Sequence, residues 1–509
     1  SNQLLVMSAA GPTDGSADKW YSPVPGVSLD SRGSGGPVWS PDGKRMAAIY
    51  STQLAIFPVS KDGAPTGPVK HVTEETASSP SWAQDSRHIL YLSNDKFKIL
   101  DVDSGAVQTV PLDLTYRQFV PKGSYVLHVG KLVDGTSQTA KNDMDIVISG
   151  NRIKSVQPHV AGRKAIDLPD LTAMPGMIEA HTHRESNMGE RQGRAFLSWG
   201  ITTIRNPGEL PYEAVEDREA GDAGIRVQPR MFNTGYLLDG SRPYYKTSVA
   251  ISSEAQMDRE LERSRILGFD LLKGYVRLPD PLLSRMIKFG HRFGIPSTSH
   301  ELFPAVFDGQ DSVEHQGATS RRGYSLKNTF NRSYDDVMQL MSHAKISLTP
   351  TVFPGMTAFL TANPQMMSDP RLALDPPWLK EQMAALAKRP LSDESGIAKM
   401  VMDAQKAGVR IVAGTDEMDG MYYQAELYSY IQFGMTPYEA LRAATVTPAE
   451  LLQLDAGSIQ PGKLADIVLV EGNPLDDIAN TRRVKRVITN GRMFTIEDLL
   501  NGNAKNAPH

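Results

Sequence analysis

The stretch Ala173-Met-Pro-Gly-Met-Ile-Glu-Ala-His-Thr-His183 is an apolar, strand-like run that ends in two histidines one residue apart. On a β-strand, positions i and i+2 point to the same face, so His181 and His183 can reach one point in space. Imidazole is the commonest metal ligand, and two imidazoles converging at a strand end are half a metal site. The rest of the chain has to supply the other half.

Downstream, strand and helix patterns alternate. Candidate strands are Ala173–His181, Ile201–Arg205, Arg226–Asn233, Leu271–Tyr275, Ile295–His300, Ser312–His315, Ile346–Thr351 and Arg410–Thr415. Helical patterns lie between them at Ser253–Leu267, Leu282–Phe293, Leu379–Ala387 and Asp393–Ala407. Eight such units over residues 173–455 fit a (β/α)8 barrel, for which about 250 residues is typical. The Pro- and Met-rich insertion Phe353–Asp393 is too long for a simple connection and reads as a lid over the barrel mouth.

A barrel of this kind does its chemistry at the C-terminal ends of its strands. Five of the eight candidate strands end in a ligand-capable residue: His181 and His183 on the first, Lys273 on the fourth, His300 on the fifth, His315 on the sixth and Asp416 on the eighth. Lys273 follows Phe269-Asp-Leu-Leu, where an ammonium is costly and its pKa falls. An ammonium has no lone pair for a metal. A neutral amine can instead take up carbon dioxide as a carbamate whose two oxygens bridge two cations. A lysine that snorkels to solvent, or pairs with Glu301 or Glu314, is the equal alternative at this point.

The flanks are β-rich. Residues 119–172 and 456–497 carry strand patterns such as Met144–Ser149 and Ala465–Val470, and are expected to form one discontinuous β-sandwich. In residues 1–118, Pro37-Val-Trp39-Ser-Pro-Asp42-Gly-Lys-Arg aligns with Pro80-Ser-Trp82-Ala-Gln-Asp85-Ser-Arg-His at an offset of about 43 residues. This repeat resembles blades of Tol-type periplasmic β-propellers. Two blades do not close a ring, so subunit contact there, and hence a homo-oligomer, is an expectation. Residues 498–509 read as a polar tail.

The barrel pieces carry a second resemblance. Pro175-Gly-Met-Ile-Glu-Ala-His-Thr-His183, Gly200-Ile-Thr-Thr-Ile-Arg205, Leu272-Lys273, Ser299-His300, Val313-Glu-His315, Ala413-Gly-Thr-Asp416 and Gly457-Ser-Ile-Gln-Pro-Gly-Lys-Leu-Ala-Asp-Ile-Val-Leu469 resemble the amidohydrolase superfamily, in its binuclear subgroup with a carboxylated lysine. Imidazolonepropionase- and prolidase-like members are the most similar. The resemblance implies one metal held by His181, His183, the modified Lys273 and Asp416, and a second by His300, His315 and the same lysine. Zinc suits these donors, with manganese, cobalt and iron as alternatives. It further implies hydrolysis of an amide or dipeptide-like C–N bond by a hydroxide shared between the metals, with Asp416 moving the proton. Two departures bear on substrate: Gly-Tyr-Val-Arg follows Lys273 in place of Gly-Gly, and Arg184 stands directly after the second histidine.

Composition bounds the remaining classes. The 509 residues hold 54 basic and 58 acidic side chains, a formal net charge of −4, without a long basic run, which disfavours nucleic acid as a partner. There is no cysteine, so disulfides, thiolate ligands and a cysteine nucleophile are excluded. No run of about 18 apolar residues suggests a membrane span. The first residues lack the basic start and apolar region of a signal peptide; only the propeller resemblance and the lack of cysteine point to a periplasmic or secreted location. No Gly-x-Ser-x-Gly elbow, phosphate loop or dinucleotide fingerprint appears. A small-molecule substrate is expected. The same site on a lactone or phosphotriester is a rival enzyme reading, and a non-catalytic binding scaffold is the rival of another class.

Overall fold

The computed structural model describes residues 3–25, 29, 35–243, 245–302, 305–315 and 335–502; the end of the expected polar tail, 503–509, lies outside them. The chain divides into two compact units: Ser1–Thr115 with Gly208–Ala214 and Thr234–Ser297, and Tyr116–Pro207 with Val215–Asn233 and Thr298–His509. No helix among the described residues is long and apolar enough to cross a membrane.

In the first unit the repeat folds as two four-stranded antiparallel sheets. One runs Val38–Trp39, Arg45–Tyr50, Gln53–Pro58, Lys70–His71; the other Ser78–Trp82, His88–Ser93, Lys96–Asp101, Val107–Thr109. Alternate residues of the Arg45–Tyr50 strand enter different cores. Met46, Ala48 and Tyr50 pack with Leu4, Leu29 and Phe57, whereas Ala47 and Ile49 pack with Ile89, Tyr91 and Leu100 of the second sheet. The Trp82 indole Nε1 donates to the Val38 carbonyl at 3.2 Å, which ties the two copies together. A two-stranded sheet, Leu4–Val6 with Lys19–Tyr21, was not expected from the sequence; such short strands carry little alternation.

The same unit holds the helices Glu254–Ile266 and Asp280–Phe293. Ser253 caps the first by accepting from the Gln256 amide, and Gly294, at φ 71°, ends the second in the left-handed conformation that glycine supplies without strain. Between them lies the strand Leu272–Gly274, whose Lys273 is buried.

The second unit contains a mixed seven-stranded sheet built from both flanks of the chain. Its order is Arg152–Pro158, Lys141–Ser149, Ser124–Leu132, Ile166–Pro175, Ile467–Glu471, Val484–Thr489, Arg492–Thr495. Leu127, Val129, Ile146, Ile148, Ile467, Leu469 and Ile488 form its apolar core. The unit also carries a run of seven parallel strands: Ser297–Ser299 (whose last two residues belong to it), Ser312–Glu314, Ser347–Thr349, Arg410–Ile411, Met177–Glu179, Ile201–Asn206 and Arg230–Asn233. The step from Arg410–Ile411 to Met177–Glu179 is made by the Ala180 amide donating to the Ala413 carbonyl at 3.0 Å, and by a parallel bridge between Thr182 and Glu417.

The expected strand Ala173–His181 is two strands in two sheets. Ile166–Pro175 pairs with Ile467–Glu471, and after Gly176 the chain re-enters as Met177–Glu179 beside Ile201–Asn206. Gly176 makes this crossing because the Thr202 side chain sits where a Cβ would be, 2.1 Å from its Oγ1. The insertion Phe353–Asp393 is mostly helical, with Gly355–Ala362, two 3-10 turns (Pro364–Ser368 and Pro370–Leu374) and Pro377–Leu386.

Candidate metal centre

The C-terminal ends of the parallel strands bring His181, His183, His300, His315 and Asp416 together in the second unit. His183 Nε2 lies 2.9 Å and His181 Nε2 3.2 Å from Asp416 Oδ1, and His315 Nε2 lies 3.8 Å from Asp416 Oδ2. The His181 and His315 ring centroids are 4.9 Å apart, and those of His300 and His315 4.4 Å. Lys273 is in the first unit, on the strand described above.

Two imidazoles are turned by bonds on their far side. His181 Nδ1 lies 2.6 Å from Glu314 Oε2, and His315 Nδ1 lies 2.7 Å from Thr351 Oγ1. Both therefore present Nε2 to the same carboxylate. Such outer partners fix the tautomer and ring orientation of metal-ligating histidines.

Backbone geometry converges on the same spot. The Thr415 and Asp416 amides donate to the His181 carbonyl at 3.1 and 2.6 Å. Glu179 Oε1 accepts from the His181 amide at 2.9 Å and the Thr415 amide at 3.1 Å, stapling the two ligand-bearing chain ends. Burial pushes the Glu179 carboxyl well above the usual range. His315 (φ 72°), Thr351 (φ 49°) and Asp416 (φ 62°) are held in the left-handed region, which costs a non-glycine residue about 1–3 kcal/mol and concentrates at functional sites. Burial opposes the Asp416 charge, but the His181 and His183 imidazoles outweigh it and hold its carboxyl well below the usual range.

Arg205, at the end of the candidate strand Ile201–Arg205, is buried and turns inward. Its Nη2 donates to Glu314 Oε1 at 2.6 Å, its Nη1 to Ser312 Oγ at 3.2 Å and its Nε to the Ala180 carbonyl. Glu314, weighed from sequence only as a partner for Lys273, bonds here to His181 and Arg205. Glu179, Glu314 and Thr351 were not foreseen as site residues. A signal existed, since Glu314 and Arg205 are the charged residues of otherwise uncharged, buried strands, where a charge needs a partner. Phe353, the first residue of the insertion, stacks on His315 with centroids 5.7 Å apart.

The donor set fits a divalent cation. His181, His315 and Asp416 each offer a ligand atom, all within 4.8 Å of one another, and mixed imidazole and carboxylate donors suit zinc or a first-row relative.

The sequence model of the amidohydrolase family matches residues 300–494. The chain carries an amidohydrolase-family domain. Over 377 residues it is 24% identical to adenine deaminase 2 of Jannaschia sp., spanning 69% of this chain and 53% of that protein. Over 103 residues it is 36% identical to ochratoxinase of Aspergillus niger, spanning 19% of this chain and 22% of that one. The chain thus spans about half the length of the first relative and about a fifth of the second. Among solved structures it resembles a Xaa-Pro dipeptidase with methionine bound in the active site, at TM-score 0.57 and 21% identity, over 73% of this chain and all of that one. Likeness at that identity speaks for the fold alone.

Proposed function

We propose that this protein is a metal-dependent hydrolase that cleaves a C–N bond, amide or dipeptide-like, in a small substrate. One observation carries the reading: two buried imidazoles, each anchored through Nδ1, aim Nε2 at the Asp416 carboxylate, beside His183. The amidohydrolase domain and the deaminase and dipeptidase names of its relatives support cleavage of C–N bonds.

In this proposal His181, His183, His300, His315 and Asp416 hold divalent metal, most simply two zinc ions. Lys273, as a carbamate, completes the set on the strength of the family resemblance. Metal bound there supplies Lewis acidity to a substrate carbonyl and to an attacking water. Asp416 takes the water's proton at a carboxylate oxygen and returns it to the leaving nitrogen. Glu179 and the backbone bonds to His181 keep that carboxylate in register. The Phe353–Asp393 insertion supplies a wall of the mouth through Phe353. An eight-stranded barrel, a composite sandwich from both flanks, and propeller-like N-terminal blades are the architecture that goes with this reading.

The test compares metal-depleted protein with protein reloaded with zinc, manganese or cobalt. The panel comprises N-acyl amino acids, dipeptides, aminopurines, lactones and phosphotriesters. Metal-dependent turnover of an amide, dipeptide or amine is expected. Turnover confined to lactones or phosphotriesters, or none with metal loaded, overturns the proposal.

A further inference from the structure

We infer that Glu314 is a positioning residue for the metal site, acting through His181 and itself anchored by Arg205. The inference deepens the metal-site reading above and rests on it for one of its two readouts. Glu314 is 0% exposed, Arg205 1% and His181 2%, so none of the three is offered to solvent. A buried carboxylate needs donors, and Glu314 has them on both oxygens. Oε1 accepts from Arg205 Nη2 at 2.6 Å and from the Thr298 hydroxyl; Oε2 faces His181 Nδ1 at 2.6 Å.

Proton placement follows from this chain. Arginine stays protonated in proteins and only donates, so Glu314 Oε1 is the acceptor of the Arg205 and Thr298 bonds, and Oε2 is left to accept from His181. His181 Nδ1 must then be the donor. Nε2 is left pointing at Asp416, the orientation a metal ligand needs. Arg205 is fixed in turn by the Ala180 carbonyl, at the end of the neighbouring strand, and by Ser312 Oγ and Thr349 Oγ1 from two strands that do not pair with its own. The unit Arg205–Glu314–His181 thereby links three strand ends to the direction of one imidazole.

The test uses the full chain, wild type beside Glu314→Gln and the double variant Arg205→Met with Glu314→Gln. The double variant removes both charges together and so leaves no buried charge unpaired. Three quantities are measured: the melting temperature of metal-free protein, zinc affinity by competition with a chelator, and the Nδ1 proton resonance of His181 in histidine-labelled, metal-free protein. The expected result is a folded double variant whose zinc affinity is lower by about 10–100-fold, with the downfield His181 Nδ1 resonance moved upfield or lost. A folded double variant with wild-type zinc affinity and an unmoved resonance overturns the inference. If wild-type protein takes up no zinc, the proposed function fails, and the resonance alone decides the positioning role: unmoved refutes it, shifted supports it.

Discussion

Asp416 is bound to His181 twice: its amide donates to the His181 carbonyl at 2.6 Å, and its Oδ1 lies 3.2 Å from the His181 Nε2. A backbone pairing thus sets the position of a side-chain pairing. Asparagine tolerates the left-handed conformation at φ 62° about as well as aspartate does. Asp416→Asn should therefore stay folded by circular dichroism while losing the charge. Metal affinity should fall, and turnover should drop by roughly 10²–10⁴ if Asp416 moves the proton. Undiminished turnover at full metal occupancy would remove Asp416 from that role.

Gly414 lies where the two ligand-bearing ends meet. A Cβ there would be 2.8 Å from the His181 amide nitrogen, 3.0 Å from the His181 Cβ and 2.6 Å from Thr349 Cγ2. Backbone cannot yield as a flexible side chain does, so Gly414→Ala should destabilise by about 1–3 kcal/mol and weaken metal binding together. Chemical denaturation of metal-free protein checks the first, and chelator competition the second. An alanine variant as stable as wild type would mean the two ends are not in this register.

The mixed sheet carries a pH-dependent clamp of its own. His128 Nδ1 lies 2.5 Å from Asp167 and Nε2 2.8 Å from Asp143, while its ring stacks on His159 at 3.7 Å. His159 in turn faces Asp145, which also meets Arg163. Burial lowers the His128 pKa, but the two carboxylates outweigh it and the net shift is upward. Stability from a raised histidine is fully present below the unfolded value, about 6.5, and is lost as pH rises through the folded one. As pH rises from about 6.5, the unfolding midpoint of wild type should thus fall more steeply than that of His128→Gln. Both aspartates are largely exposed, so salt should shrink the difference. Parallel curves for the two proteins at low salt would refute the clamp.

Lys273 gives a prediction by mass. It is buried on its strand, and an ammonium there could not ligate metal. Gently ionised, metal-loaded protein should carry the added mass of one carbon dioxide, and Lys273→Met should lack it along with part of the metal. Wild type without the adduct at full metal occupancy would leave Lys273 outside the ligand set.

Much of the site was legible because its residue types are scarce in apolar strands and recur at strand ends. His181, His183 and Asp416 could be picked out from the largely apolar runs before them, and His300 and His315 from their places at the ends of candidate strands. The division of Ala173–His181 at Gly176 could not be read, because its cause is the Thr202 side chain from a neighbouring strand. Arg205 shows the same limit. Its place at a strand end was visible, but the direction of its side chain is set by Glu314, more than 100 residues away. In the Phe353–Asp393 insertion, Pro377–Leu386 was legible as the pattern Leu379–Ala387, whereas the short turns Pro364–Ser368 and Pro370–Leu374 were obscured by prolines, which here start them rather than break them.

Metal stoichiometry is the most direct test of the central claim. Wild-type protein, dialysed against zinc and then freed of excess, should retain about two equivalents by elemental analysis, whereas His181→Ala and Asp416→Asn should each lose at least one. Wild type with no bound metal, or variants that retain as much as wild type, would contradict a metal centre at this cluster.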